Sequence, residues 1–208
     1  MESPPTASTA ETEKVRERPL HEFLIESDPD GFEPDPNCFY TPWIDVHVLL
    51  QLVRRYQPSR FLEIGTHRGV TTRILAKRFP EMAIVTVDPG DQIPMSERPA
   101  IQLEEFLPQD QIGELVRDYA NVTVIRQRFE DIAWGDQRFE MVFVDGNHRL
   151  PHVLKDSYLA LQLVTSPGVI VWHDYGNVPD VSTALGQLDV EGTIVALQNT
   201  WIAYLDTR

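Results

Sequence analysis

Asp145, His148, His173 and Asp174 are the residues whose types and spacing best suit chemistry. They follow two apolar runs, FEMVFV at 139–144 and GVIVW at 168–172, and a helix-like stretch separates the two pairs. Two carboxylates and two imidazoles can bind a divalent ion or accept and release protons near neutral pH. Gathered in one place they are costly unless a metal ion, a substrate or solvent compensates them. The apolar runs read as consecutive buried strands of a strand–helix–strand unit, so both pairs reach the same carboxyl edge of a sheet. In open parallel sheets that edge is where ligands bind.

A second signal lies upstream, in RFLEIGTHRGVTTRILAKRFPEMAIVTVDPG at 60–90. A short apolar strand runs into Glu63-Ile64-Gly65-Thr66-His67-Arg68-Gly69. A helix with Val70, Ile74 and Leu75 on its buried stripe follows, and a strand over 83–88 ends at Asp88. Glycines at such a turn let backbone approach a ligand, and an acid ending the next strand can accept both hydroxyls of a ribose. The unit therefore suits a nucleoside-containing cofactor. A dinucleotide site requires G-x-G-x-x-G to cradle a pyrophosphate, whereas the spacing here is G-x-x-x-G with Glu63 two residues before it. A carboxylate there repels pyrophosphate and suits a cationic sulfonium.

The pattern E-x-G-x-x-x-G, with Asp88 after the second strand and V-D-G-x-H downstream, resembles class I S-adenosylmethionine-dependent methyltransferases. The closest look is to the metal-dependent small-molecule O-methyltransferases, the group of macrolide-sugar O-methyltransferases and cephalosporin hydroxylase-type proteins, over roughly 44–205. The resemblance implies an α/β fold: a Rossmann-like seven-stranded mixed sheet, parallel with a C-terminal antiparallel hairpin strand, and helices on both faces. It implies S-adenosylmethionine contacts at Glu63, Gly65, Thr66, Gly69, Asp88, Phe129 and Asp145, and a divalent metal held by Asp145, His173 and Asp174. His148, three residues after the aspartate, becomes the general base for a small hydroxylated acceptor.

Methyl transfer is an in-line displacement, so donor and acceptor must be aligned and the acceptor oxygen made nucleophilic. A divalent ion and a histidine serve the second need. Two departures from the family pattern matter. His173 stands where relatives carry an acid, which shifts the expected metal from magnesium toward a transition metal if the imidazole coordinates. Arg126-Gln127-Arg128-Phe129 precedes Glu130 where an acid commonly meets the adenine amine, leaving the Phe129 ring as the candidate to stack on adenine. Other readings stay open on the residues alone. They are a non-haem iron oxygenase using His148, His173 and Asp174, a cofactor-binding protein without turnover, and an NAD-dependent dehydrogenase, the last disfavoured by the missing G-x-G-x-x-G.

Bulk composition narrows partners and compartment. A net charge of -14 with scattered basic residues argues against nucleic acid. No apolar run approaches the ~20 residues of a membrane helix. A single cysteine, Cys38, leaves no internal disulfide and favours the cytoplasm. The Pro-, Ser-, Thr- and Glu-rich start reads as a disordered leader over 1–20. An N-terminal extension over 21–58 follows, turn-rich at 27–42 and helical from Ile44 to Tyr56, with Ile44, Val48, Leu49, Leu52 and Val53 packing on the core. That helix is the surface expected to support a homodimer.

The domain proper spans 59–208, with strands expected near 60–64, 83–88, 122–126, 140–145 and 169–173. A long connection over 89–120 reads as a substrate-side lid, ending in an amphipathic helix near Leu107 to Tyr119. A helix over 179–188 and two strands joined by a tight Gln198-Asn199-Thr200 turn close the chain.

Overall fold

The computed structural model describes residues 14–24, 41–94, 96 and 107–208. The turn-rich stretch at 27–40, Cys38 and most of the 95–106 part of the expected lid lie outside them.

The strands are β1 (Val15–Arg18), β2 (Arg60–Ile64), β3 (Ala83–Val87), β4 (Val122–Ile125), β5 (Phe139–Val144), β6 (Val164–Trp172), β7 (Ile194–Leu197) and β8 (Ala203–Asp206). The helices are α1 (Trp43–Tyr56), α2 (Val70–Arg78), α3 (Leu150–Leu163) and α4 (Pro179–Gln187). Among the described residues one sheet of 8 strands runs in the order β1-β7-β8-β6-β5-β2-β3-β4. All neighbours are parallel except β8, which is antiparallel to both β6 and β7. The α/β class, the mixed sheet and the closing hairpin are as the sequence implies; the count is one strand higher. The extra strand is β1, which lies within the residues read as a leader and pairs in parallel with β7. Its Val15 packs on the core, and that contact with the β7 ladder outweighs a polar local composition.

Side-chain parity along the strands sorts the core into two layers. Even-numbered Leu62, Ile64, Val142, Val144, Ile170 and Trp172 face α3 and α4, meeting Val153, Ala160, Val181 and Leu185. Odd-numbered Phe61, Met141, Phe143, Val169 and Val171 face α1 and α2, meeting Val46, Leu49, Leu50, Ile74 and Leu75. Ile44, expected on the α1 core stripe, is instead exposed. The stripe runs through Asp45, Val48, Leu49 and Leu52, an i, i+3, i+4, i+7 set that places an acid inside it.

The stretch expected as a helix over 107–119 is a series of turns with one 3-10 turn at Glu114–Val116. Gly113 at φ +63 breaks the helix, and a Cβ there would lie 2.9 Å from the Val124 side chain. The Gly113 and Leu115 amides donate to the His67 and Arg68 carbonyl oxygens at 2.8 and 3.1 Å instead of to a helical turn. Arg68 also pairs with Glu114. The end of the long connection therefore clamps the outside of the glycine turn.

Candidate active site

Backbone ladder bonds bring the strand ends into line. The Gly65 amide donates to the Val87 carbonyl, Asp88 to Ile125, Asp145 to Ile64, and His173 to Val144. The glycine turn, Asp88 and both acid–histidine pairs thus share one carboxyl edge.

The glycine turn is shaped by contact rather than by flexibility. Gly65 has φ +102, and a Cβ on it would stand 2.0 Å from the Asp145 carbonyl oxygen. Gly69 has φ +86 and precedes the first turn of α2, where a Cβ would meet Val116 at 3.1 Å. Asp88 spans the turn: its Oδ2 accepts from the His67 amide at 2.8 Å and its Oδ1 from the Gly90 amide at 2.7 Å.

Glu63 does not face the open edge. Its odd parity turns it toward α2, where its carboxylate accepts from the Thr72 hydroxyl and from Thr86 Oγ1 at 2.5 Å. Thr66 Oγ1 joins this buried group at 2.6 Å from Thr86 Oγ1. Burial pushes the Glu63 carboxyl up to about 8, against the two threonine hydroxyls that favour its charged form. Through these bonds Glu63 fixes the turn from below. Phe129 is likewise withdrawn. Its ring is buried in the core, edge-on to Trp134 with centroids 5.6 Å apart. Its even-face apolar neighbours hold it there, so no open face is left to stack on adenine.

Asp145, His148 and Asp174 converge. His148 Nε2 lies 2.9 Å from Asp174 Oδ2 and 3.6 Å from Asp145 Oδ1. One ligand atom from each of the three lies within 4.8 Å of the other two. Ligands about 2.1 Å from one ion stand roughly 3–4 Å apart, so this oxygen–nitrogen–oxygen set fits a divalent cation. Asp174 reaches the cluster because β6 ends at Trp172 and Asp174 itself adopts φ +61. In an extended strand His173 and Asp174 would point to opposite faces; the left-handed residue turns both toward one place. Asn177 Nδ2 donates to Asp174 Oδ1 at 2.7 Å and holds the carboxylate in that orientation.

The charges are mutually supporting. Burial works against a charged His148, yet the Asp145 and Asp174 carboxylates outweigh it and push the imidazole up to about 9. Burial likewise works against ionised Asp145 and Asp174, and the two histidines hold both below the usual carboxylate range.

His173 occupies a different place from the one its spacing suggests. Its Nδ1 lies 3.2 Å from Asp145 Oδ1 and 3.1 Å from Asp174 Oδ2, and its Nε2 lies 3.1 Å from Asp45 Oδ2. Both nitrogens face carboxylates, and the cluster with ligand spacing omits it. A two-histidine, one-carboxylate iron triad is therefore not formed. Asp45, on the first turn of α1, is the residue the sequence reading missed. The available signal was an acid on an otherwise apolar helical stripe.

The loop from Asp145 to His148 rests on Asp156 of α3, whose Oδ2 would be 3.3 Å from a Cβ on Gly146. Burial, reinforced by Glu130, pushes the Asp156 carboxyl up to about 7 against the pull of Lys155 and Arg128. An acid whose folded pKa stands above its unfolded value of about 3.9 costs stability increasingly as pH rises through that window. Asp156→Asn is therefore expected to stabilise the fold more at pH 8 than at pH 5, by about 2 kcal/mol. Urea unfolding at the two pH values measures it; equal gains at both would refute the assignment.

The methyltransferase-domain family model matches residues 62–175, more than half of the chain, including the glycine turn, Asp88 and both acid–histidine pairs. The chain belongs to this methyltransferase family. No curated protein matches it in sequence. Among solved structures it is similar to the O-methyltransferase NovP at 15% identity, with 79% of each chain covered and a TM-score of 0.57. It is also similar to the S-adenosylhomocysteine-bound methyltransferase PaMTH1 of Podospora anserina, at 16% identity, 79% and 78% coverage and a TM-score of 0.56. An O-methyltransferase from Bacillus cereus in complex with S-adenosylhomocysteine matches at 15% identity, 84% and 82% coverage and a TM-score of 0.51. Among the described residues, no helix of this methyltransferase is long and apolar enough to cross a membrane.

Proposed function

We propose that this methyltransferase transfers a methyl group from S-adenosylmethionine to the hydroxyl of a small acceptor, with a divalent cation on Asp145 and Asp174 and with His148 as base. The observation that carries the reading is the meeting of Asp145, His148 and Asp174 within 4.8 Å, on the strand end that contacts Gly65. NovP and the Bacillus cereus protein, which share the fold, are O-methyltransferases by name, and two of the three neighbours hold S-adenosylhomocysteine.

The cofactor supplies an electrophilic methyl on a sulfonium, and the turn at Gly65–Gly69 with Asp88 beyond it would hold the nucleoside. The cation, when bound, lowers the pKa of the acceptor hydroxyl. A cation on Asp145 and Asp174 would take over the charge balance that holds His148 protonated and leave its imidazole neutral. Asp145 and Asp174 orient the acceptor oxygen toward the turn, and His148 Nε2 then takes its proton as the O–C bond forms and the S–C bond breaks. The flanking carboxylates stabilise the resulting imidazolium, which passes its proton to solvent.

A second reading has a specific observation behind it: His148 Nε2 sits at ligand distance within the cluster, which makes it the third ligand instead. The two readings differ in metal preference. With His148 as base the ligand set is all oxygen, so magnesium and manganese are expected to support rates within about threefold of each other. With His148 as ligand, manganese or cobalt outperforms magnesium by tenfold or more. Rates at equal free concentrations of the ions decide. The activity itself is tested with methyl-labelled S-adenosylmethionine and a panel of sugar, phenol and polyketide alcohols, with and without EDTA. Label recovered in an ether product, and lost with EDTA, is the expected result. Label transferred only to amines, or none transferred, overturns it.

A further inference from the structure

We propose that Asp45, which lies on α1 and outside the 62–175 family match, is a positioning residue that acts through His173 to hold the two cation-binding carboxylates in place. The inference rests on the cation reading above.

Asp45 is fully buried, and a buried carboxylate is tolerated only when its oxygens are engaged. Both are. Oδ2 lies 3.1 Å from His173 Nε2, and Oδ1 accepts from the Trp201 amide at 3.1 Å. His173 is nearly as deep, with its ring edge-on to Phe143 and to Trp201 at centroid distances of 6.2 and 5.9 Å. Its other nitrogen lies midway between Asp145 Oδ1 and Asp174 Oδ2, at 3.2 and 3.1 Å. A single imidazole thus joins three carboxylates from three separate parts of the fold: the first turn of α1, the end of β5 and the end of β6.

With a carboxylate oxygen at each ring nitrogen, the imidazole ties Asp45 to Asp145 and Asp174. Its effect is geometric. Asp45 fixes the ring at Nε2, and the ring at Nδ1 lies against Asp145 Oδ1 and Asp174 Oδ2 and so fixes how the two carboxylates are turned. Partners behind the ligands commonly govern metal affinity by 10–100-fold. The Trp201 amide extends the same tie to the turn between β7 and β8. The N-terminal helix is therefore part of the site and not only a cover for the sheet.

The test uses the full chain carrying Asp45→Asn, which keeps the size of the side chain and an acceptor for the Trp201 amide. Calorimetric titration with MnCl2 is expected to show at least tenfold weaker binding than wild type, while S-adenosylhomocysteine affinity stays within about threefold. The manganese concentration for half-maximal rate should rise by a similar factor with KM for S-adenosylmethionine unchanged. Asp45→Asn added to His173→Gln should weaken manganese no further than His173→Gln alone, because both act along one path. Wild-type manganese affinity in Asp45→Asn, or additive losses in the double variant, overturns the proposal. Should Asp45→Asn fail to fold, His173→Gln carries the same comparison: manganese weakened with the nucleoside retained supports it, and manganese unchanged overturns it. A wild-type chain that binds the nucleoside but no manganese defeats the cation reading itself, and this inference with it.

Discussion

Gly65→Ala is expected to destabilise the fold by more than about 4 kcal/mol and to abolish nucleoside binding. The added Cβ would stand 2.0 Å from the Asp145 carbonyl oxygen and 2.6 Å from its carbonyl carbon. Neither atom belongs to a side chain that can rotate away. The Asp145 amide is itself bonded to the Ile64 carbonyl at 2.8 Å, and β2 and β5 are paired in register from Phe61–Met141 to Ile64–Val144. Relief therefore requires parting two central strands. The φ of +102 adds a backbone penalty of about 1–2 kcal/mol for any residue with a Cβ. Gly186 is the matched control, because a Cβ there meets nothing within 4 Å. Gly186→Ala, inside α4, is expected to be neutral or to stabilise by about 0.5–1 kcal/mol. Urea unfolding of both variants gives the comparison, and a Gly65→Ala protein with wild-type stability would contradict the described contact between the turn and Asp145.

His148→Ala is expected to lower kcat by about 10²–10⁴-fold. The side chain is 18% exposed and belongs to neither core layer, so its loss leaves no apolar cavity. Its removal does leave Asp145 and Asp174 without one of the two cationic partners that hold them ionised. A bound cation compensates that loss, so manganese affinity should change by less than about threefold if His148 is the base. Single-turnover methyl transfer, alongside titrations with manganese and S-adenosylhomocysteine, separates the roles. A fall in rate at constant affinity for both supports the base. A parallel fall in manganese affinity makes the histidine a ligand, and an undiminished rate removes it from the chemistry.

The parts of this fold written in local chemistry were legible in the sequence. The apolar runs ending in Asp88, Asp145 and His173 become β3, β5 and β6 with carboxyl ends within one residue of those expected, although β6 starts five residues earlier, at Val164, and the Asn199 turn closes the hairpin. Joining Asp145, His148 and Asp174 followed from two strand ends being neighbours. What was hidden depends on tertiary position. Glu63 and Phe129 lie at positions in sequence that suit cofactor contacts, but strand parity sends Glu63 under α2, and apolar packing draws Phe129 against Trp134. The sequence does not show that Asp45, 128 positions away, waits at the far nitrogen of His173. Val15–Arg18 looks like a solvated leader because an edge strand needs only one partner, and the β7 ladder supplies it. The turn at 107–116 carried helical spacing, yet Gly113 and the carbonyls of His67 and Arg68 offered its amides better use.

The measurement that bears most directly on the central claim is calorimetric titration of the wild-type chain with S-adenosylhomocysteine, followed by MnCl2, with Asp145→Ala in parallel. The account predicts saturable binding of the nucleoside by the wild-type chain, then a manganese heat that EDTA abolishes and that Asp145→Ala lacks. A folded wild-type chain that binds no nucleoside would contradict it.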